Sequence, residues 1–310
     1  MPAAVESMFY VRETPWHGLG IRIEEAICST EALTAAGLNW QVNQNPIFTS
    51  DGQAIPNYKA NVRDSDNKVL GVVSDRYRIV QNSEAFQFTD ALLGEGVKYE
   101  TAGALQGGRR VWLLAKLPEK YIIGGEAIEP FLVFSNSHDG SAAIKVSMTP
   151  IRVVCQNTLN LALENARRTW SAKHTGSIQT RRLEARETLG LAQHYMESLG
   201  KEFDALSRIK LSDSKVMSLI NELIPLADEA TALQRKNVEQ QRDDVKIRYF
   251  EAHDLKAIGK SGFRFVNAVS DYATHAKPLR ETAAYRDNLL MKVLDGHPII
   301  DKAYALVRAA

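Results

Sequence analysis

Apolar and polar residues alternate in short runs over the first 175 positions, and helical spacing takes over for the remainder of the chain. The pattern is sharpest around residue 140. Phe131 to Ser135 is short and almost wholly apolar, and beyond His138-Asp139-Gly140 the residues Ile144, Val146 and Met148 alternate with Ala143, Lys145 and Ser147. Period-two alternation across a turn predicts a β-hairpin, ended by Thr149-Pro150. From Ile151 the period changes. Val154, Thr158, Leu161 and Ala162 recur at helical spacing while Arg152, Gln156, Asn157, Asn160 and Asn165 fall on other faces, which predicts a helix to Ala166 with an amide-rich face.

Upstream, Thr30 is placed to cap a short helix over 31–36 that Gly37 stops. Strands follow over 38–43, 58–63 and 68–74, with Asp51-Gly52 as a hairpin signal. Asn82 or Ser83 caps a helix whose apolar face (Ala85, Phe86, Phe88, Leu92) ends at Gly94. Residues 97–105 and 109–117 form a hairpin about Gln106-Gly107-Gly108, with Arg109 and Arg110 at its tip. Residues 118–130 read as a linker, and 169–174 as one more strand. Past Gly176 the pattern predicts helices over 177–206, from Ser212 to Pro225, and over 231–252, 263–273 and 279–294. The expected architecture is α+β: a twisted antiparallel sheet of hairpins packed on helices in a core domain (1–175), then a helical domain (176–310).

Composition narrows the function. With 310 residues, 45% of them hydrophobic and 24% charged, the chain suits ordinary globular cores. No apolar run approaches the roughly 20 residues that span a bilayer, so a cytoplasmic protein without a membrane partner is expected. Cys28 and Cys155 form no metal-ligand pair. Lys and Arg number 13 against 17 Asp and Glu in residues 1–150, and 25 against 20 in 151–310, so the basic surface belongs to the second half. It is densest over 151–182, where six cations (Arg152, Arg167, Arg168, Lys173, Arg181, Arg182) face the single anion Glu164.

Four ordered blocks carry a family resemblance: Thr14-Pro15-Trp16-His17-Gly18-Leu19-Gly20; Arg76-Tyr77 with Gln81-Asn82-Ser83-Glu84-Ala85-Phe86; the Phe131 to Ala166 segment; and Asn267-Ala268-Val269 with Asp271-Tyr272 and His275. Together they resemble the phage/plasmid-like protein family, domains of unassigned activity carried by phages, prophages and conjugative plasmids. In outline the expected fold is also similar to the phage single-strand annealing proteins of the RecT and Redβ type, a fold-level analogy.

Catalytic signals are sparse. Gly259-Lys260-Ser261 lacks the glycine a phosphate loop needs five residues earlier, where Asp254 stands, so Ser261 is read as a helix cap. The histidines show no i, i+4 pair for zinc. No catalytic residue, metal or cofactor is expected. Single-stranded nucleic acid needs a cationic track for phosphates and aromatic surfaces for bases, and Arg152, Arg167, Arg168, Lys173 and Trp170 combine both, joined by Arg109 and Arg110 and by the amides of Asn157 and Asn160. The reading that follows is a non-enzymatic protein that binds single-stranded DNA and promotes ATP-independent annealing as a homo-oligomer. Trp16 and His17 form a subunit contact in it, and a host or phage single-strand-binding protein is a further partner. Two alternatives remain: an accessory protein that captures a host defence or replication factor, and a metal-dependent enzyme acting on nucleic acid.

Overall fold

The computed structural model describes residues 5–11, 20–25, 27–94, 98–117, 121–123, 126–152, 169–256, 258–276 and 297–310. The fold is α+β, with an eight-stranded sheet, a three-stranded antiparallel sheet, and helices mostly in the C-terminal half. Two compact units divide the chain. The first takes 1–118, 131–148 and 167–192, and the second 119–130, 149–166 and 193–310. The cut expected between 175 and 176 falls inside the first unit's last segment.

The strands β1 (Val5–Val11), β2 (Ile21–Ile23), β6 (Lys98–Leu105), β7 (Arg110–Lys116), β9 (Glu126–Ser137), β10 (Ile144–Arg152) and β11 (Thr169–Ala172) build the large sheet in the order β11-β10-β9-β7-β6-β1-β2. β8 (Tyr121–Ile123) pairs with β9 alone. β1 and β2 run parallel, so the sheet is not antiparallel throughout. Alternate residues (Phe9, Ala102, Leu113, Phe134, Val146, Trp170) turn to one face and close a buried core with helices α1 (Ser29–Ala35) and α2 (Asn82–Leu93). Phe88 of α2 sits at its centre, 6.0 Å from Phe134 and 5.7 Å from Trp170 between ring centroids. Burying such side chains stabilises by about 1.5–3 kcal/mol each.

Several boundaries differ from expectation. α2 starts after Gln81, whose N–H donates to Glu84 at 2.8 Å, because Asn82 is drawn into the interior, where its amide donates to the Leu38 carbonyl at 3.0 Å. The presumed linker 118–130 contains β8 and the start of β9. β10 does not stop at Thr149-Pro150 but runs to Arg152. Its described pairing with β11 ends at Ser147↔Thr169. Ile151 and Arg152 therefore extend a strand rather than open a helix. The rest of that expected helix, and the one over 279–294, lie outside the described residues.

β3 (Val42–Phe48), β4 (Ala54–Arg63) and β5 (Val69–Ser74) form the small sheet. The second unit gathers the end of α3 (Arg182–Arg208) with α4 (Asp213–Leu223), α5 (Ala232–Glu251), α6 (His253–Lys256), α7 (Gly262–His275) and α8 (Pro298–Arg308). Ser261 caps α7 as expected, its hydroxyl accepting from the Arg264 N–H at 3.3 Å. Residues 262–270 of α7 are all buried. Arg264 among them donates from Nε to the Tyr249 carbonyl at 2.7 Å and lies 4.9 Å over the Tyr249 ring, closing the C-terminus of α5. Among the described residues no helix is long and apolar enough to cross a membrane.

Candidate nucleic-acid interface

One end of the large sheet collects the β6–β7 turn, the β9–β10 turn and the end of β11, as the pairings Leu105↔Arg110, Arg110↔Ser137 and Ile144↔Ala172 require. The first turn needs three successive positive φ angles, 54° at Gln106, 68° at Gly107 and 87° at Gly108, which is why two glycines occupy it. The small sheet closes over this end. At Gly71 a Cβ would stand 2.5 Å from the Asp139 Cα, and Asn61 donates from Nδ2 to the His138 carbonyl at 2.6 Å.

Beneath lies a row of buried polar side chains. The segment from Tyr77 to Asn82, the first residue of α2, presents an acceptor at every second residue. Arg78 O lies 3.1 Å from His174 Nδ1, Val80 O receives Asn136 Nδ2 at 2.9 Å, and Asn82 Oδ1 lies 3.0 Å from His138 Nε2. Because Asn82 Nδ2 already donates to Leu38 O, its Oδ1 is the acceptor and His138 carries its proton on Nε2. His138 is fully buried, with Trp40 edge-on at 5.3 Å. Its Nδ1 has no hydrogen-bond partner among the described residues, and neither does His174 Nε2. A second ring proton on either would be a buried donor without an acceptor.

Electrostatics follow from this. Burial, with a smaller push from His174, drives His138 down to about 3 against the opposing pull of Asp139. Burial also lowers His174, although its bond to the Arg78 carbonyl opposes the shift. Burial would raise Asp139, but hydrogen bonds from Ser137 and Ser141, with Arg110 nearby, hold it below its ordinary value. Tyr77 stacks on His174 at 4.4 Å and donates to the Ser137 carbonyl; burial raises its hydroxyl. Arg63 lies 5.3 Å over Trp40 and is neutralised by Glu6 at 2.7 Å and Asp66 at 2.5 Å.

Cations ring this row. Arg109 is exposed at the tip of the β6–β7 turn. Arg110 is half-buried, its Nη2 donating to Ser141 Oγ at 3.3 Å. Lys173 is exposed just past β11, three strand spacings or about 14 Å across the sheet end. Arg78 joins it, since the Arg78 N–H donates to His174 O at 2.8 Å, and Arg76 is exposed two residues earlier. Among the described residues no carboxylate pairs with Arg76, Arg78, Arg109 or Lys173. No group of three or more His, Cys, Asp or Glu among them is arranged to hold a metal ion.

Of the residues singled out in the sequence, the fold therefore brings together Arg109, Arg110 and Lys173. Trp170 requires correction. It is only 4% exposed and stacks on Phe88 in the core, so it offers no face to a base. Arg152 ends β10 and belongs to the second unit, with its side chain outside the described ones. Asn157, Asn160, Arg167 and Arg168 lie outside the described residues, as do Trp16 and His17. Arg76 and Arg78 also lie exposed at this end of the sheet and were not among the residues the sequence singled out. Arg76-Tyr77 was noticed only as part of a family block, and nothing local ties Arg78 to Lys173.

Comparison with known proteins gives a family match over residues 69–293, to a domain of unknown function (DUF932). No curated protein and no solved structure matches the chain.

Proposed function

Since the chain belongs to the DUF932 family, whose description assigns no activity, we propose a function from the interface itself: binding of single-stranded nucleic acid, with ATP-independent annealing of complementary strands on behalf of a phage or plasmid. The observation that carries it is the gathering of Arg76, Arg78, Arg109 and Lys173 from three separate segments onto one sheet end, unpaired with any described carboxylate. Like charges held together without counter-ions cost free energy, which bound phosphates would return through release of condensed ions. Arg110 supports them by holding the Ser137–Ser141 turn. In annealing, a row of protomers would keep one strand extended and screen its phosphates while the complement pairs. The setting of the phage/plasmid-like family and the analogy to phage annealing proteins favour that extension.

A salt series tests the reading. Four phosphate contacts give log K a slope of about −3 against log salt for a single strand. The double reversal Arg78→Glu with Lys173→Glu removes two of them, weakening binding more than tenfold and flattening the slope by at least about 1. Unchanged affinity in a mobility-shift titration sinks the proposal. The annealing step is read separately, from the rate at which complementary oligonucleotides pair without ATP. A second reading, capture of a host protein, draws on the exposed apolar side chains of the small sheet.

A further inference from the structure

An interface for unpaired polynucleotide needs surfaces on which bases stack, and burial of Trp170 removes the one expected from the sequence. We propose that the outer face of the three-stranded sheet is this base platform, with Tyr58 as its stacking residue. The proposal rests on the single-strand reading above and names where its bases lie.

Register fixes which face is which. Gln44, Asn61 and Gly71 are paired across the sheet, and Asn61 and Gly71 meet the His138–Asp139 turn. The next pairs along, Asn45, Ala60 and Val72, therefore point away from that turn, and Tyr58, two residues before Ala60, points with them. Exposure agrees: Tyr58 is 53% and Val72 57% exposed. Among the described residues Tyr58 and Phe48 are the two large aromatic side chains left most open to solvent, and of the two Tyr58 alone has the parity of this outward face, Phe48 sharing that of Gln44.

Area and charge select the occupant. Three strands about 4.8 Å apart and six to ten residues long offer roughly 300 to 500 Å². A stable protein contact needs about 800 Å² per partner, whereas a base needs one ring to lie on. The outward positions Asn45, Ala60, Tyr58, Val72 and Ser74 carry no charge. The cationic ring begins where the face ends, because Ser74 pairs with Tyr58 and Arg76 follows two residues later. A strand whose phosphates follow Arg76, Arg78 and Lys173 thus has its bases beside Tyr58.

The test compares an oligothymidylate with an abasic deoxyribose-phosphate oligomer of equal length, by fluorescence anisotropy at several salt concentrations. Wild type should favour the oligothymidylate. Tyr58→Ala should lose about tenfold on it and nothing on the abasic strand, with the salt slope unchanged. Tyr58→Phe should retain affinity and Tyr58→Leu lose it, which separates ring stacking from apolar docking. Equal binding of both oligomers by wild type, or full affinity in Tyr58→Ala, overturns the platform while leaving the phosphate site standing. Failure of wild type to bind either oligomer overturns the single-strand reading and the platform with it.

Discussion

Acid should loosen the first unit before any carboxylate titrates, and His138 is the reason. In the unfolded chain its imidazole protonates near 6.5; in the fold, burial holds it down to about 3. Folding depresses the pKa, so the stabilising contribution is complete above pH 6.5 and is lost as the pH falls from 6.5 toward 3. The full difference corresponds to about 5 kcal/mol, of which about 2 kcal/mol has gone by pH 5. His174, lowered by burial as well, adds in the same direction. Asp66, down to about 2, and the lowered Asp139 keep their contributions until the pH falls below the ordinary aspartate value of 3.8, under the pH 5.0 of the comparison. The assay is urea unfolding at pH 7.5 and pH 5.0 followed by tryptophan fluorescence, since all four tryptophans lie at or before position 170. His138→Gln keeps a donor for Asn82 and removes the titration, so the variant should lose about 2 kcal/mol less than wild type over that interval. An equal loss in both proteins, or an NMR titration of the His138 ring near 6.5, refutes the argument.

Three further outcomes follow from packing. Gly71→Ala drives a methyl to 2.5 Å from the Asp139 Cα, and should cost about 1–3 kcal/mol in urea unfolding. Trp170→Ala should cost about 3–5 kcal/mol, while the milder Trp170→Phe leaves polynucleotide affinity unchanged; a tenfold affinity loss in a stable Trp170→Phe protein would contradict its place in the core. Arg264→Met strips the Tyr249 and Phe250 carbonyls of their guanidinium donor and should destabilise the second unit by about 1–3 kcal/mol, seen as lost amide protection in α5 and α7.

Much of the fold could be read along the chain because its strongest signals are local. The 97–105/109–117 hairpin is marked by glycines that its turn requires at positive φ. Ser212, Thr231 and Ser261 cap α4, α5 and α7 through their own hydroxyls. Errors arose where a local stop signal was overruled by the neighbouring strand. Pro130 closes the expected linker and Pro150 the expected strand. Lys116↔Phe131 is the last pair of β7 with β9, so Pro130 sits just past a strand that would have needed its missing donor, and β10 continues past Pro150 to Arg152.

The candidate site was less legible because its parts are adjacent only through topology. His138-Asp139-Gly140 read correctly as a turn, and Asp139 does accept the Ser141 N–H at 2.9 Å. The burial of His138, however, comes from Asn61 and Asn82, 77 and 56 residues away in sequence. The sequence does carry a signal for Trp170. In a strand, residues an odd number of positions apart point to opposite faces, so Trp170 and Lys173 cannot serve one groove together if 169–174 is extended. Applying that parity would have sent Trp170, with Ala172, to the core, and left Lys173 to find its companions elsewhere. They are Arg76 and Arg78, reached through the bond from the Arg78 amide to the His174 carbonyl. Cationic density along the sequence and strand register therefore share only Arg109, Arg110 and Lys173 among the described residues: the proposed phosphate ligands collect by register, and bases would have to be met by a different sheet.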